Sequence, residues 1–402
     1  MWLACGRARR LSAAKSTALS PRCIAPARCK RLLNDGCNTA ILHGMTHIGI
    51  DARLTAYRPG GISTYTRRLI EALSQTDHDN RYTILQSRKA TSAITARLPE
   101  RHLWTPPHHR WERVALSIEI SRFKLDVFHS TDFIPARWGA RRQVITVHDL
   151  AFLLLPEHKD RAASRYYNDQ IAWAVARADH ILSVSEATRD DLMRLLDVPA
   201  HKITVQPHGV EPRFFDAAED VAVDGLPPVY LLYVGTLEPR KNIDTLLSAY
   251  QRLTAPPPLV LAGRIGWLFD ATLHRIKALQ ADGHAIIHRD DITDAQLPAL
   301  YRGAAALLLP SHYEGFGLTA LEGMACGVPV IAGDTSSLPE VVGDGGLLLP
   351  PDDVSDWVDG IRQALDDSGW RAAVIERGLR RARQFTWANS AQIARSVYEN
   401  IS

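Results

Sequence analysis

Two carboxylates, Glu314 and Glu322, stand in the run Ser311-His-Tyr-Glu-Gly-Phe-Gly-Leu-Thr-Ala-Leu-Glu-Gly-Met-Ala-Cys-Gly-Val-Pro-Val330, with seven residues between them. The apolar run 304–309 is short and ends at Pro310, which reads as a buried strand, while Leu318 to Ala325 has helical spacing and stops at Gly327. Glu314 then falls on the loop before a helix, and Glu322 about one turn inside it. Gly315 and Gly317 leave backbone N–H groups uncovered, and the first turn of a helix has unpaired donors and a partial positive charge. A loop and helix tip of this kind suit a phosphate. One carboxylate would lie near that phosphate and the other beside whatever the phosphate carries. As a bare pair of glutamates, the same residues describe a solvated surface loop.

Three further groups have residue types for related chemistry. Arg240 and Lys241, in Glu238-Pro-Arg-Lys-Asn242, follow the apolar run 229–234 and put two cations where a leaving diphosphate gathers charge. Arginine grips phosphate oxygens in bidentate fashion and lysine acts as a point charge; without context the two are a solvated surface pair. His148 and Asp149, in Val147-His-Asp-Leu150, offer an imidazole and a carboxylate after another strand, or equally a core histidine held by its neighbour Asp149. Gly60 and Gly61, after the strand 47–51, form either a tight turn or a place where backbone approaches a ligand. His129 and Asp132, in His-Ser-Thr-Asp, are weaker acceptor-side candidates. Asp190-Asp191, Asp290-Asp291 and Asp352-Asp353 have the type for magnesium but are widely scattered, so no metal is expected.

Tyr313-Glu-Gly-Phe-Gly and Glu322-Gly-Met-Ala-Cys-Gly-Val-Pro-Val-Ile331 closely resemble the signature of the retaining, nucleotide-sugar-dependent glycosyltransferases of family four. Their fold is GT-B: two doubly wound, Rossmann-like α/β domains facing across a cleft. The resemblance runs from Ile48 to the C-terminus. It implies that Glu314 lies against the donor sugar, that Glu322 binds the ribose hydroxyls, and that backbone at Gly315, Phe316, Gly317, Leu318 and Thr319 holds sugar and diphosphate. It gives Lys241 and Arg240 to the diphosphate, although many relatives carry a further arginine where this chain has Thr236. It places Gly60 and Gly61 against the donor from the other domain, His148 on the donor sugar, and Asp149 on the acceptor side. Asp291 and Ile292 fall where relatives hold the nucleobase through backbone groups, without the usual Gly-aromatic pair. Gln206-Pro-His-Gly-Val210 resembles a Pro-Asn-Gly-Val turn with His208 in place of Asn, and His208 is assigned no role.

Gly235-Thr-Leu-Glu-Pro-Arg-Lys-Asn242 and Ala262-Gly-Arg-Ile-Gly-Trp267 are similar to bacterial mannosyltransferases. The implied reaction transfers mannose from GDP-mannose to a hydroxyl of a polysaccharide or glycolipid, with no cofactor. Alternatives are glucosyl or N-acetylglucosaminyl transfer from a UDP-sugar, a non-catalytic nucleotide-sugar binder, and an epimerase of the same fold.

To position these groups the chain needs strands at 47–51, 81–85, 127–129, 143–147, 180–184 and 203–205, and a second set at 229–234, 259–262, 285–288, 304–309 and 328–332. A helix over 63–73 follows the first strand, and another closes the chain over 389–401. The expected organisation is a basic tail or mis-called start over 1–44, an acceptor domain over 45–224, a donor domain over 225–385, and a C-terminal helix over 386–402 crossing back to the first domain.

The 402 residues are 46% hydrophobic and 23% charged, enough for two cores. Residues 1–44 carry a net +7 of the overall +3, so residues 45–402 carry −4 and give no support to a nucleic-acid groove. Cys5, Cys23, Cys29 and Cys37 sit in that tail at irregular spacing, which argues against zinc; Cys326 reads as a buried thiol. No run of 18 apolar residues occurs, so a cytoplasmic enzyme is expected. Trp104, Arg110, Trp111, Arg113 and Phe123 have the composition of a patch touching the inner face of a membrane, or of an ordinary core.

Overall fold

Strands buried on both faces need runs of branched and aliphatic residues, and eleven of the short runs above supply them. The computed structural model describes residues 45–57, 60–155, 161–218 and 220–402, with 161–168 as backbone only. The tail 1–44 and Pro59 lie outside the described residues. Seven strands form the first sheet: β1 (His47–Asp51), β2 (Arg81–Ser87), β3 (Glu100–Leu103), β4 (Leu125–Ser130), β5 (Ala140–Val147), β6 (His180–Ser183) and β7 (Ile203–Val205). Six form the second: β8 (Tyr230–Val234), β9 (Leu259–Ala262), β10 (Ile286–Arg289), β11 (Ala304–Leu309), β12 (Val330–Gly333) and β13 (Leu347–Leu349).

The orders are β3-β2-β1-β4-β5-β6-β7 and β10-β9-β8-β11-β12-β13, and every strand pairing is parallel. Each sheet is therefore wound outward in both directions from one seam, between β1 and β4 and between β8 and β11. Ligands of such sheets sit outside the carboxyl ends of the strands at that seam. The loops that leave β8 and β11 there are those holding Arg240, Lys241 and Glu314.

Strands β3 and β13 were not expected from the sequence. Both are edge strands, and Glu-Arg-His-Leu in β3 has no apolar run because one side of it needs no core contact. The first helix, Gly61–Thr76, is longer than the predicted 63–73, and the last, Trp387–Ile401, starts earlier than 389 because Thr386 caps it, its hydroxyl accepting from the Asn389 amide at 3.1 Å.

Trp387, Ala391, Ala394, Val397 and Tyr398 of the last helix bury themselves in the first sheet's core with Tyr65, Leu69 and Leu73. The hinge backbone meets the start of that helix so closely that a Cβ on Gly209 would lie 2.1 Å from the Trp387 amide. A glycine is required there.

Candidate functional site

One cleft of about 400 Å³ is lined by Gly60, Gly61, His148, Asp149, Arg240, Lys241 and the whole stretch from Glu314 to Thr319. These residues come from the turn before the first helix, the loop after β5, and the loops after β8 and β11. Two features prepare the second-sheet wall. Pro239 opens a 3-10 turn over Pro239–Lys241, which turns both cations inward. Gly317, at φ +99°, starts the helix Leu318–Ala325 with no side-chain cap, so its first amides are left for a ligand.

Glu314 is the centre of this wall. Lys241 Nζ donates to its Oε1 at 2.5 Å and its Oε2 at 2.7 Å, Ser311 Oγ donates to Oε1 at 2.7 Å, and Arg240 Nη1 lies 3.3 Å from Oε2. The Glu314 amide donates to Ser336 Oγ at 2.8 Å, and Ser337 Oγ donates to the Glu314 carbonyl at 2.9 Å. Although burial opposes ionisation, Lys241, Arg240 and these hydrogen bonds together pull the carboxyl down to about 2. Arg240 also holds Glu238 at 2.5 Å and the Tyr313 carbonyl at 2.8 Å. Burial and the adjacent Arg240 lower the Lys241 ammonium from its ordinary value. The two cations, with side chains only 21% and 12% exposed, are no solvated surface pair, and Glu314 and Glu238 balance their charge.

The first-sheet wall approaches to contact. A Cβ on Gly315 would lie 1.9 Å from the His148 carbonyl, so only glycine allows the two loops to meet. Ser185 Oγ donates to the Gly315 carbonyl at 2.7 Å, Tyr313 OH donates to Asp191 Oδ2 at 2.8 Å, and Glu340 accepts from the Glu186 amide at 2.9 Å.

His148 is not held by Asp149, whose Oδ1 accepts from the Ala151 amide at 3.1 Å. Its Nε2 lies 2.9 Å from the Thr131 carbonyl, which can only accept, so Nε2 carries the proton and Nδ1 keeps a free lone pair. Burial lowers the imidazole from its ordinary value, keeping it neutral. Its ring stands edge-on to Tyr65 at 4.9 Å. Tyr65 is fixed by a relay in which every member is satisfied. Tyr398 OH bonds His129 Nδ1 at 2.7 Å, His129 Nε2 bonds Thr146 Oγ1 at 2.8 Å, Thr146 bonds Tyr65 OH at 2.9 Å, and Tyr65 donates to Gln206 Oε1 at 2.8 Å. His129 is thus a core residue and no acceptor ligand; burial drives it down to about 3.

Besides His129, four sequence candidates do not line this cavity. Glu322, half-buried one turn into the helix, accepts from Tyr301 OH at 2.8 Å, and burial pushes its carboxyl up to about 8. Asp291 is clamped by Arg289 at 2.6 Å and is 62% exposed, and Ile292 packs on the edge of the second core. Asp132 pairs with His108 Nε2 at 2.7 Å beside a buried Arg53 flanked by Asp51 and Glu112. Sequence reading missed Ser311, Ser336, Ser337 and Glu238; the first three lie in or near the quoted segment, but serine has no pattern that distinguishes a ligand of a carboxylate from a turn. Among the described residues no group of three or more His, Cys, Asp or Glu has the arrangement to hold a metal ion.

The sequence pattern described as "Glycosyl transferases group 1" matches residues 220–381, and "Glycosyltransferase Family 4" matches 59–214. The O-antigen chain mannosyltransferase B of Escherichia coli is 35% identical over 288 residues, covering 69% of this chain and 75% of that protein. The chain belongs to the GT-B glycosyltransferases. The serotype-specific mannosyltransferase WbdA of Escherichia coli is 27% identical over 321 residues, and this glycosyltransferase spans only 39% of its length. Among solved structures, sucrose-phosphate synthase from Thermosynechococcus elongatus superposes with TM-score 0.71 at 21% identity, covering 89% of this chain and 99% of that one. HepE from Anabaena, in complex with UDP and glucose, superposes with TM-score 0.68 at 17% identity, covering 88% and 99%. These two likenesses concern the fold.

Proposed function

We propose that this glycosyltransferase moves a hexose from a nucleotide sugar to a hydroxyl of a polysaccharide or glycolipid, with retention of configuration and without a metal. The observation that carries the reading is the meeting of Glu314, Lys241 and Arg240 with an uncapped helix tip and the neutral His148 in one cleft. The diphosphate sits on the amides of Gly317 to Thr319 and shares Lys241 and Arg240 with Glu314. The hexose lies between Glu314 and the His148 lone pair, and Gly60 and Gly61 approach it by backbone. Glu322, Asp291 and Ile292 lie outside this cleft, so the roles that the family resemblance gives them, Glu322 on the ribose and Asp291 and Ile292 at the base, require the nucleoside to extend beyond it.

In the reaction, the acceptor oxygen attacks the anomeric carbon from the face the phosphate leaves. The bond from that carbon to the phosphate oxygen breaks, the acceptor proton passes to the phosphate, and the nucleoside diphosphate departs. Glu314 orients the sugar; with both oxygens engaged and its basicity low, it is poorly suited to attack the carbon itself. Within this reading 45–224 is the acceptor domain, 225–385 the donor domain and 386–402 the returning helix.

The GDP-mannose donor is supported by the likeness to a named O-antigen mannosyltransferase. The UDP-sugar alternative stands at least as well, since HepE was solved with UDP and glucose. A thermal-shift screen with GDP-mannose, UDP-glucose, UDP-N-acetylglucosamine and ADP-glucose decides between them, because a specific donor stabilises the fold by mass action. Stabilisation without hydrolysis or transfer would instead mark a non-catalytic binder, and a changed sugar released without any acceptor would mark an epimerase.

No helix among the described residues is long and apolar enough to cross a membrane. For a lipid-linked acceptor we propose peripheral contact at the cytoplasmic face. Trp104 and Trp111 are 70% and 60% exposed, with Arg88 and Arg110 over their rings at 4.1 and 5.7 Å, whereas Arg113 stacks on Trp173 and Phe123 packs inward. Cosedimentation with anionic but not neutral vesicles, lost in Trp104→Ala with Trp111→Ala, is the expected result; equal recovery with both vesicles removes the contact.

A further inference from the structure

His208, in the hinge segment between β7 and the second sheet, is 5% exposed and lines the same cleft as Glu314 and Lys241. Four rings enclose it, with centroids at 5.0 Å for Tyr65, 5.7 Å for His148, 4.8 Å for Phe316 and 5.6 Å for Trp387. Its Nδ1 is sealed from solvent and has no hydrogen-bond partner. Nε2 is not sealed, and the cleft is the open space the ring borders.

A polar ring in an aromatic box is an unusual choice. A histidine there loses solvation that a phenylalanine would not have to give up, so its nitrogen must recover free energy from some other source. A sealed N–H without an acceptor is rarer and costlier than a sealed lone pair. The ring therefore keeps the lone pair on Nδ1 and carries its proton on Nε2. Burial, helped by the neighbouring His148, lowers the group well below its ordinary value, so the ring is neutral and this single proton is the one it offers. The four rings fix the direction in which it points.

We propose that His208 is a donor-binding residue whose Nε2–H hydrogen-bonds an oxygen of the bound hexosyl diphosphate from the hinge side of the cleft. This rests on the proposed function of the cleft as the donor site. The oxygen belongs either to the phosphate or to the sugar, since both accept an N–H in the same way.

Calorimetry of wild type, His208→Phe and His208→Asn with a nucleotide sugar and with the matching nucleoside diphosphate tests the assignment, alongside Tm. Phenylalanine keeps a ring and lacks the donor; asparagine keeps a donor and lacks the ring. The expected result is that His208→Phe retains a native transition and loses about tenfold or more in nucleotide-sugar affinity, and that His208→Asn recovers part of it. An equal loss for the nucleoside diphosphate assigns the oxygen to phosphate; a loss confined to the nucleotide sugar assigns it to the hexose. Wild-type affinity in His208→Phe overturns the inference and leaves a packing role alone. If phenylalanine prevents folding, His208→Gln against His208→Met makes the same comparison. A natively folded wild type that binds no nucleotide sugar overturns the donor reading itself, and this inference with it.

Discussion

Around Glu314 the second lobe gathers two cations and two carboxylates, whereas the first lobe faces them with two imidazoles that burial keeps neutral, His148 and His208. The ionic wall is drawn from two short runs, 238–241 and 311–319. The neutral wall is drawn from segments as distant as Gly60 and His208. Charge belongs where a diphosphate gains charge on leaving, and neutral donors and acceptors belong where hydroxyls must be told apart without an ion's long-range pull. Under the proposed function, the ionic wall carries the leaving group's charge and the neutral wall supplies uncharged hydrogen-bonding groups.

The ionic wall is the place to break this comparison most severely. Glu314→Ala and Lys241→Ala are each expected to cut kcat/KM roughly a thousandfold, read as nucleoside diphosphate released with acceptor present. Glu314→Ala should also lower Tm, because it leaves Lys241 buried without its carboxylate and Arg240 with Glu238 alone. Near-normal turnover in either variant would take that residue out of the reaction.

On the neutral wall, His148→Phe should lower kcat/KM by about tenfold to a hundredfold while leaving nucleoside diphosphate affinity unchanged. A matching loss in diphosphate affinity would erase the distinction between the walls. Since burial lowers His148 and His208, the unfolded chain takes up protons below about pH 6.5 that the folded state refuses. Stability should therefore fall as pH drops through that region, measured as Tm against pH.

Glu322 sharpens the comparison from the opposite sign. Its carboxyl, raised to about 8, keeps a proton that the unfolded chain releases at about pH 4.3, so the native state loses stability as pH rises between these values. Glu322→Gln should raise the donor-free Tm at about pH 8 by a few degrees while weakening donor binding. A lower Tm would show that the carboxylate is paired in a way the Tyr301 contact does not provide.

The smallest effect is expected at the seam between the walls. Tyr313→Phe removes one hydrogen bond to Asp191, worth about 1 kcal/mol, and should raise the donor KM severalfold with little change in kcat.

Much of this was legible in the chain. The strands β1, β7, β9 and β11 and the helix Leu318–Ala325 fall on the residues their apolar spacing indicated, because strands buried on both faces admit little else. Edge strand β3, Glu-Arg-His-Leu, was invisible for the opposite reason, whereas β13 has an apolar run of only three leucines. His129 and His148 look alike in sequence, each at the carboxyl end of an apolar run, the first as the next-to-last residue of its strand and the second just after it. Only the partners separate them: His129 has both nitrogens satisfied by Thr146 and Tyr398, while His148 has one satisfied by Thr131 and lines the cleft.

The order of residues alone determined the two wound sheets and the grouping of Glu314 with the glycines and helix tip beside it, since short-range spacing fixes which groups share a loop. Whether Arg240 and Lys241 are free or balanced, which nitrogen of His148 carries its proton, and that His208 stands unpartnered among four rings were decided by the tertiary structure. Those properties depend on burial and on neighbours far away in the chain, and local spacing carries no record of either.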